Sequence, residues 1–254
     1  MPLAIKMQEE YGDDVQFMFV SNGEKPEEIE QFGLKKGWFS DHAIWSSEAP
    51  FQTGSKTIPH CVVLGIDGTV LVNANPMSAH SEIEQVLAEQ LKLAKKGPKD
   101  LSPALSKAWG DFEKGMYAGA IKALEATPEG GQEKEAADKL AGNLTARAKA
   151  KLNRLSFLIE AAEFEQADKL SAQLAKGLAG HELEEKLKEL TASLTAKEMA
   201  PEREAAKALE KVEKRIVKDG LDAAALKQLK SVGEKFAQTR AGKRASRMAG
   251  MLGA

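Results

Sequence analysis

One thiol, four histidines and one marked proline are the residues of this chain best suited to chemistry. Cys61 is the single cysteine, which excludes an internal disulfide and a cysteine-rich metal site. A thiol that attacks or exchanges needs exposure and a lowered pKa, supplied by a helix N-terminus or a nearby cation. Cys61 instead opens the apolar run Cys61-Val62-Val63-Leu64, where a free cysteine behaves as a small hydrophobe, so burial is expected. His60 stands beside it, but neighbouring strand residues point to opposite faces, which weakens that pairing. His42, His80 and His181 are scattered without ligand spacing, so no metal site and no cofactor are expected. The chain carries no phosphate loop and no nucleophile elbow. Asn143-Leu144-Thr145 matches a glycosylation sequon but falls inside a helical pattern.

The element that must position Pro59 and Cys61 is a hairpin. Val62 to Leu64 with Ile66 is a β-branched, apolar run suited to a strand buried on both faces. Asp67-Gly68 predicts a tight type I′ turn, and Thr69 to Val72 runs back. Pro59 stands just before the strand, where it withholds a donor without breaking a ladder, and Ile58–Pro59 is a candidate cis bond. Upstream, residues 2–10 read as a helix, Val15 to Val20 as a central parallel strand, and Lys25 to Lys35 as a helix with Pro26 in its first turn. Gly37 to Ser55 reads as irregular, with Trp38, Trp45 and Phe51 as plugs at the edge of a core or the lining of a groove. Ser81 to Leu93 is a helix with Ile83, Leu87 and Leu91 on one face.

Thr57-Ile58-Pro59-His60, the strand after it and Asp67-Gly68-Thr69-Val70 resemble the last third of a thioredoxin-like domain of the redoxin and TlpA type. Tyr11 to Ser21, Ile29 to Phe32 and Gly37-Trp38-Phe39 are similar to earlier parts of that family's pattern. The resemblance covers roughly residues 1–92 and implies an α/β thioredoxin-like domain. It implies a cis Pro59 that faces substrate, with Ile58 offering backbone hydrogen bonds to an extended thiol partner. It also implies a Cys-x-x-Cys dithiol a few residues ahead of Met1-Pro2-Leu3, together with a preceding strand. These 254 residues contain neither. The expectation is a thiol–disulfide oxidoreductase scaffold, incomplete at its N-terminus, with no catalytic residue and no redox turnover of its own. Loss of the middle strand predicts either that the two flanking strands close up or that a row of unpaired backbone groups stays open, and in both cases a less stable N-terminal part. Proteins of this type are often periplasmic, which is the compartment implied for a full-length parent.

Composition bounds the rest. Length allows one large domain or two ordinary ones. A net charge of −2 argues neither for nucleic acid nor for an acidic membrane surface, and no nucleic-acid partner is expected. No apolar run reaches the ~20 residues of a membrane span. Alanine, leucine, lysine and glutamate crowd the later part and predict helix. Lys95 to Asp100 is the best boundary, so the expected organisation is residues 1–94, a linker at 95–101, and an all-α domain over 102–254. Trp109 to Ala120 resembles part of a tetratricopeptide hairpin. Tyr117 and Ala120, Phe164 and Ala167, and Leu221 and Ala224 repeat a large residue at a turn with alanine one helical turn later. Arg240, Lys243, Arg244 and Arg247 form a basic end, expected to complement a helix dipole. The alternative to the redox reading is an interaction module, in which the proline loop and the helical hairpins bind an unknown protein partner.

Overall fold

A computed structural model describes residues 7, 10–11, 14–20, 25–36, 43–46, 51–98 and 101–253. The chain is mostly α. The described elements are β1 (Phe17–Val20), α1 (Pro26–Lys35), β2 (Ala43–Ser46), β3 (Cys61–Leu64), β4 (Val70–Ala74) and α2 (His80–Lys96). There follow α3 (Pro103–Glu113), α4 (Tyr117–Glu125), α5 (Gln132–Glu160), α6 (Phe164–Gly177), α7 (Glu184–Thr195), a 3₁₀ turn at Lys197–Met199, α8 (Ala200–Asp219), α9 (Ala223–Lys235) and α10 (Arg240–Leu252).

This corrects the expected α/β thioredoxin-like domain followed by an all-α domain. Among the described residues the strands form two separate ladders of two strands each, β1 parallel to β2 and β3 antiparallel to β4. The physical reason lies in their length and cover. Each strand has only four or five residues, and a two-stranded ladder is marginal without a further layer. β1 was expected to be covered on both faces, yet its burial alternates and leaves Met18 and Val20 nearly half exposed. The helices, by contrast, bury the large side chains.

Two compact units result, one of Met1–Pro50, Phe157–Asp168 and Thr191–Ala254, the other of Phe51–Ser156 and Lys169–Leu190. In the second, α3 and α4 form a hairpin across Lys114 to Met116. Phe112 and Tyr117 meet edge to face with centroids 4.8 Å apart, and the Gln173 amide donates to the Tyr117 hydroxyl at 3.1 Å. Gly177 is the close approach: a Cβ there would lie 2.3 Å from the Gly115 carbonyl oxygen and from the Tyr117 ring. Arg147 lies over Trp109 and Phe112, 4.8 and 5.2 Å from their centroids, and pairs with Glu113 at 2.7 Å. Trp109 donates its indole N–H to the Lys95 carbonyl at 3.1 Å, and its ring lies against Gly97, whose φ is 77°.

In the first unit, α9 and α10 form a second hairpin across Phe236 to Thr239, packed on α8. Thr239 caps α10, its hydroxyl accepting from Gly242 N–H and donating to the Phe236 carbonyl. Asp222 caps α9 by accepting from Ala225 N–H at 2.6 Å. That cap starts α9 two residues after Leu221, so Ala225 is the buried alanine and Ala224 is exposed. Ala120 and Ala167 are buried as the repeat predicts. Leu34 of α1 lies in the same apolar cluster as Leu209, Leu229, Met248 and Leu252.

The basic end behaves differently from its expectation. Arg240 opens α10 rather than closing a helix, and its guanidinium donates to the carbonyls of Ile159 and Glu160 at the C-terminus of α5. It complements another helix's dipole. Arg244 pairs with Glu163 and Glu213, and Arg247 with Glu30. Arg203 grips Asp168 with two hydrogen bonds of 2.8 Å, donates to the Leu194 carbonyl and lies over Phe164.

Candidate functional site: the Ile58–Cys61 loop and the helical clefts

The loop before β3 is held by its own short polar side chains. Ser55 N–H donates to Thr53 Oγ1, and Thr57 N–H donates to Ser55 Oγ, each at 3.2 Å. These local bonds substitute for a ladder and turn the chain towards Ile58. The Ile58–Pro59 peptide is cis. Ile58 is 79% exposed, so its side chain is offered to solvent at the head of the loop.

His60 and Asn73 are joined by a 2.5 Å hydrogen bond between Nε2 and Oδ1. Because a carboxamide oxygen only accepts, Nε2 carries the proton. Asn73 in turn donates to the Thr53 carbonyl at 3.3 Å, which ties the loop to β4. Cys61 is opposite Ala74 and half-buried, and burial pushes its thiol pKa up. The arrangement can therefore hold an apolar contact at Ile58, and it disfavours a thiolate at Cys61. The expected type I′ turn does not form. Only Gly68 has positive φ, at 82°, while Asp67 Oδ1 accepts from Thr69 N–H at 3.0 Å and from the Thr69 hydroxyl at 2.5 Å. Those bonds hold the Asp67 carboxyl below the usual carboxylate range.

His80 opens α2 and stands 3.4 Å from Glu84, and His181 Nδ1 accepts from Leu183 N–H at 3.2 Å. Trp45 sits in β2 opposite Phe19, and Phe51 is exposed. Trp38 and His42 lie outside the described residues. Asn143 and Thr145 lie within α5. Among the described residues no cluster of three histidine, cysteine or carboxylate side chains is arranged to hold a metal.

Two features escaped the sequence reading. One is an open cleft of about 650 Å³ beside α5, lined by Ala141, Gly142, Ala146, Lys122, Lys149 and His181. Glu125, Asp138 and Glu182 line it too, so its charge is mixed. Small residues at helical spacing, Gly142, Thr145 and Ala146, were its only signal. The other is the seat of α1 on α10, made by residues some 217 to 220 apart in sequence, for which no local signal exists. Among the described residues no helix is long and apolar enough to cross a membrane. Comparison with family models, with curated proteins and with solved structures found no match to this chain.

Proposed function

We propose that this chain is kin to thiol–disulfide oxidoreductases of the redoxin and TlpA type, does not itself exchange disulfides, and works as a protein-binding module. The kinship rests on Thr57 to His60, on Asp67 to Val70 and on the upstream segments quoted above. Dithiol exchange needs an attacking thiolate and a second sulfur to resolve the mixed disulfide. The observation that carries the reading is Cys61: it is the single thiol, half-buried, with a pKa raised by burial. What supports the binding half is the exposed Ile58 beside Pro59, together with helical hairpins that present open clefts. The test is insulin reduction by the purified chain with dithiothreitol as electron source. The expected rate is the background rate, identical for wild type and Cys61→Ser. Turnover above background that vanishes in Cys61→Ser overturns the non-catalytic reading.

A further inference from the structure

Ile58 and Met77 are the two most exposed large apolar side chains among the described residues, at 79% and 78%. Both leave the same end of the hairpin. Cys61 opposite Ala74 closes the β3–β4 ladder there, with Ile58 three places before Cys61 and Met77 three places after Ala74. The backbone under Met77 is fixed by a turn. Asn75 Oδ1 accepts from the Met77 N–H at 2.9 Å, and the Asn75 carbonyl accepts from the N–H groups of Ser78 and Ala79 at 3.2 and 3.1 Å. Ala79 is buried where α2 begins, so the turn is anchored while the Met77 side chain stands in solvent.

A thioether has no proton to lose, so its reaction with a peroxide follows access to the sulfur rather than a pKa. Met116 and Met18 offer less, at 47% and 44% exposed, and Met248 is buried in the apolar cluster of α8, α9 and α10. We infer that Met77 is a reversible oxidation site, at which a peroxide turns the apolar end of the hairpin polar and leaves the fold intact. The sulfur lone pair attacks a peroxide oxygen, the O–O bond breaks, an S–O bond forms, and hydrogen peroxide departs as water. The sulfur gives up two electrons and the peroxide takes them. The product is a polar sulfoxide that methionine sulfoxide reductases return to the thioether. At Met77 the added oxygen faces water over a backbone that Asn75 holds. At Met248 it would enter a cluster with Leu229 and Leu252 and cost the core a buried polar atom. The inference stands apart from what the chain binds.

The test treats the native full chain with hydrogen peroxide and follows each methionine by peptide mass mapping. Met77 should gain its oxygen ahead of Met116 and Met18, and about tenfold or more ahead of Met248. The chain so converted should elute earlier from a hydrophobic-interaction column with its denaturation midpoint unchanged. Methionine sulfoxide reductases with dithiothreitol should restore the original retention. A Met77→Leu chain given the same peroxide treatment should keep its retention throughout. Met77 reacting no faster than Met116 overturns the inference. So does a retention that does not change, a change that persists in Met77→Leu or resists the reductases, or a lowered midpoint in the converted chain. None of these outcomes touches the insulin result, so the two readings fail separately.

Discussion

The thiol is the residue on which the chemistry turns. Burial raises the Cys61 pKa, so its thiolate appears only at higher pH than for an ordinary exposed cysteine. The rate of modification by Ellman's reagent should rise with a midpoint above that of free cysteine, about 8.5. A midpoint at or below that value in the native chain would contradict the placement. Asp168 obeys the opposite sign. The hydrogen bonds from Arg203 hold its carboxyl below the ordinary carboxylate range. A depressed pKa contributes stability above the unfolded value, lost as pH falls through the folded one. Thermal stability should therefore decline from about pH 5 downward, and Asp168→Asn should flatten that decline. The flattening is partial, because Asp222 is held down too, first by the Ala225 N–H. At neutral pH the same substitution should cost about 1 kcal/mol or less, since the pair is half exposed. An Asp168→Asn chain whose acid transition is unchanged would remove this role.

Single elements were legible where they carry their own punctuation. Ser102, Asp222 and Thr239 each cap a helix, and Gly115, Gly180 and Gly220 mark breaks by residue type. Replacing Asp222 with alanine should lower the midpoint of a chemical denaturation series, because the Ala225 N–H loses its cap. The Asp67-Gly68 turn was misread because the aspartate side chain satisfies the backbone locally and removes the need for two positive φ angles. Strand β2 was read as irregular, since a four-residue run between glycine and proline breaks gives periodicity too little length to register. Gly177 is constrained by Tyr117, sixty positions away in sequence, which no local pattern signals. Gly177→Ala drives a methyl into the Gly115 carbonyl and the Tyr117 ring and should cost about 1–3 kcal/mol. An unchanged denaturation midpoint for that variant would refute the close approach.

For the molecule as a whole, composition pointed to helix after residue 102, where the described elements are helices, while the apolar runs before it misled. The apolar runs at Phe17 to Val20 and Cys61 to Leu64 read as interior strands of one sheet, yet each ends in its own two-stranded ladder. Strand propensity is local, but sheet membership depends on neighbours the chain must supply. The difference should show in amide exchange. Amides of β1 and β3 should exchange faster than those of α4 and α9, which carry fully buried Ile121 and Leu229. Strong protection of both strands, equal to that of the helices, would go against it. The stretch that composition marks as a seam has another character. Trp109 rests on Gly97 and clasps the Lys95 carbonyl, so α2 and α3 are joined by a stacked ring. A protease needs several residues of pliant backbone to draw into its active cleft. Lys95 and Lys96, though solvent-facing trypsin sites, should stay uncut in limited digestion until Trp109 is replaced by alanine, and nicking there would then report that the clasp has opened.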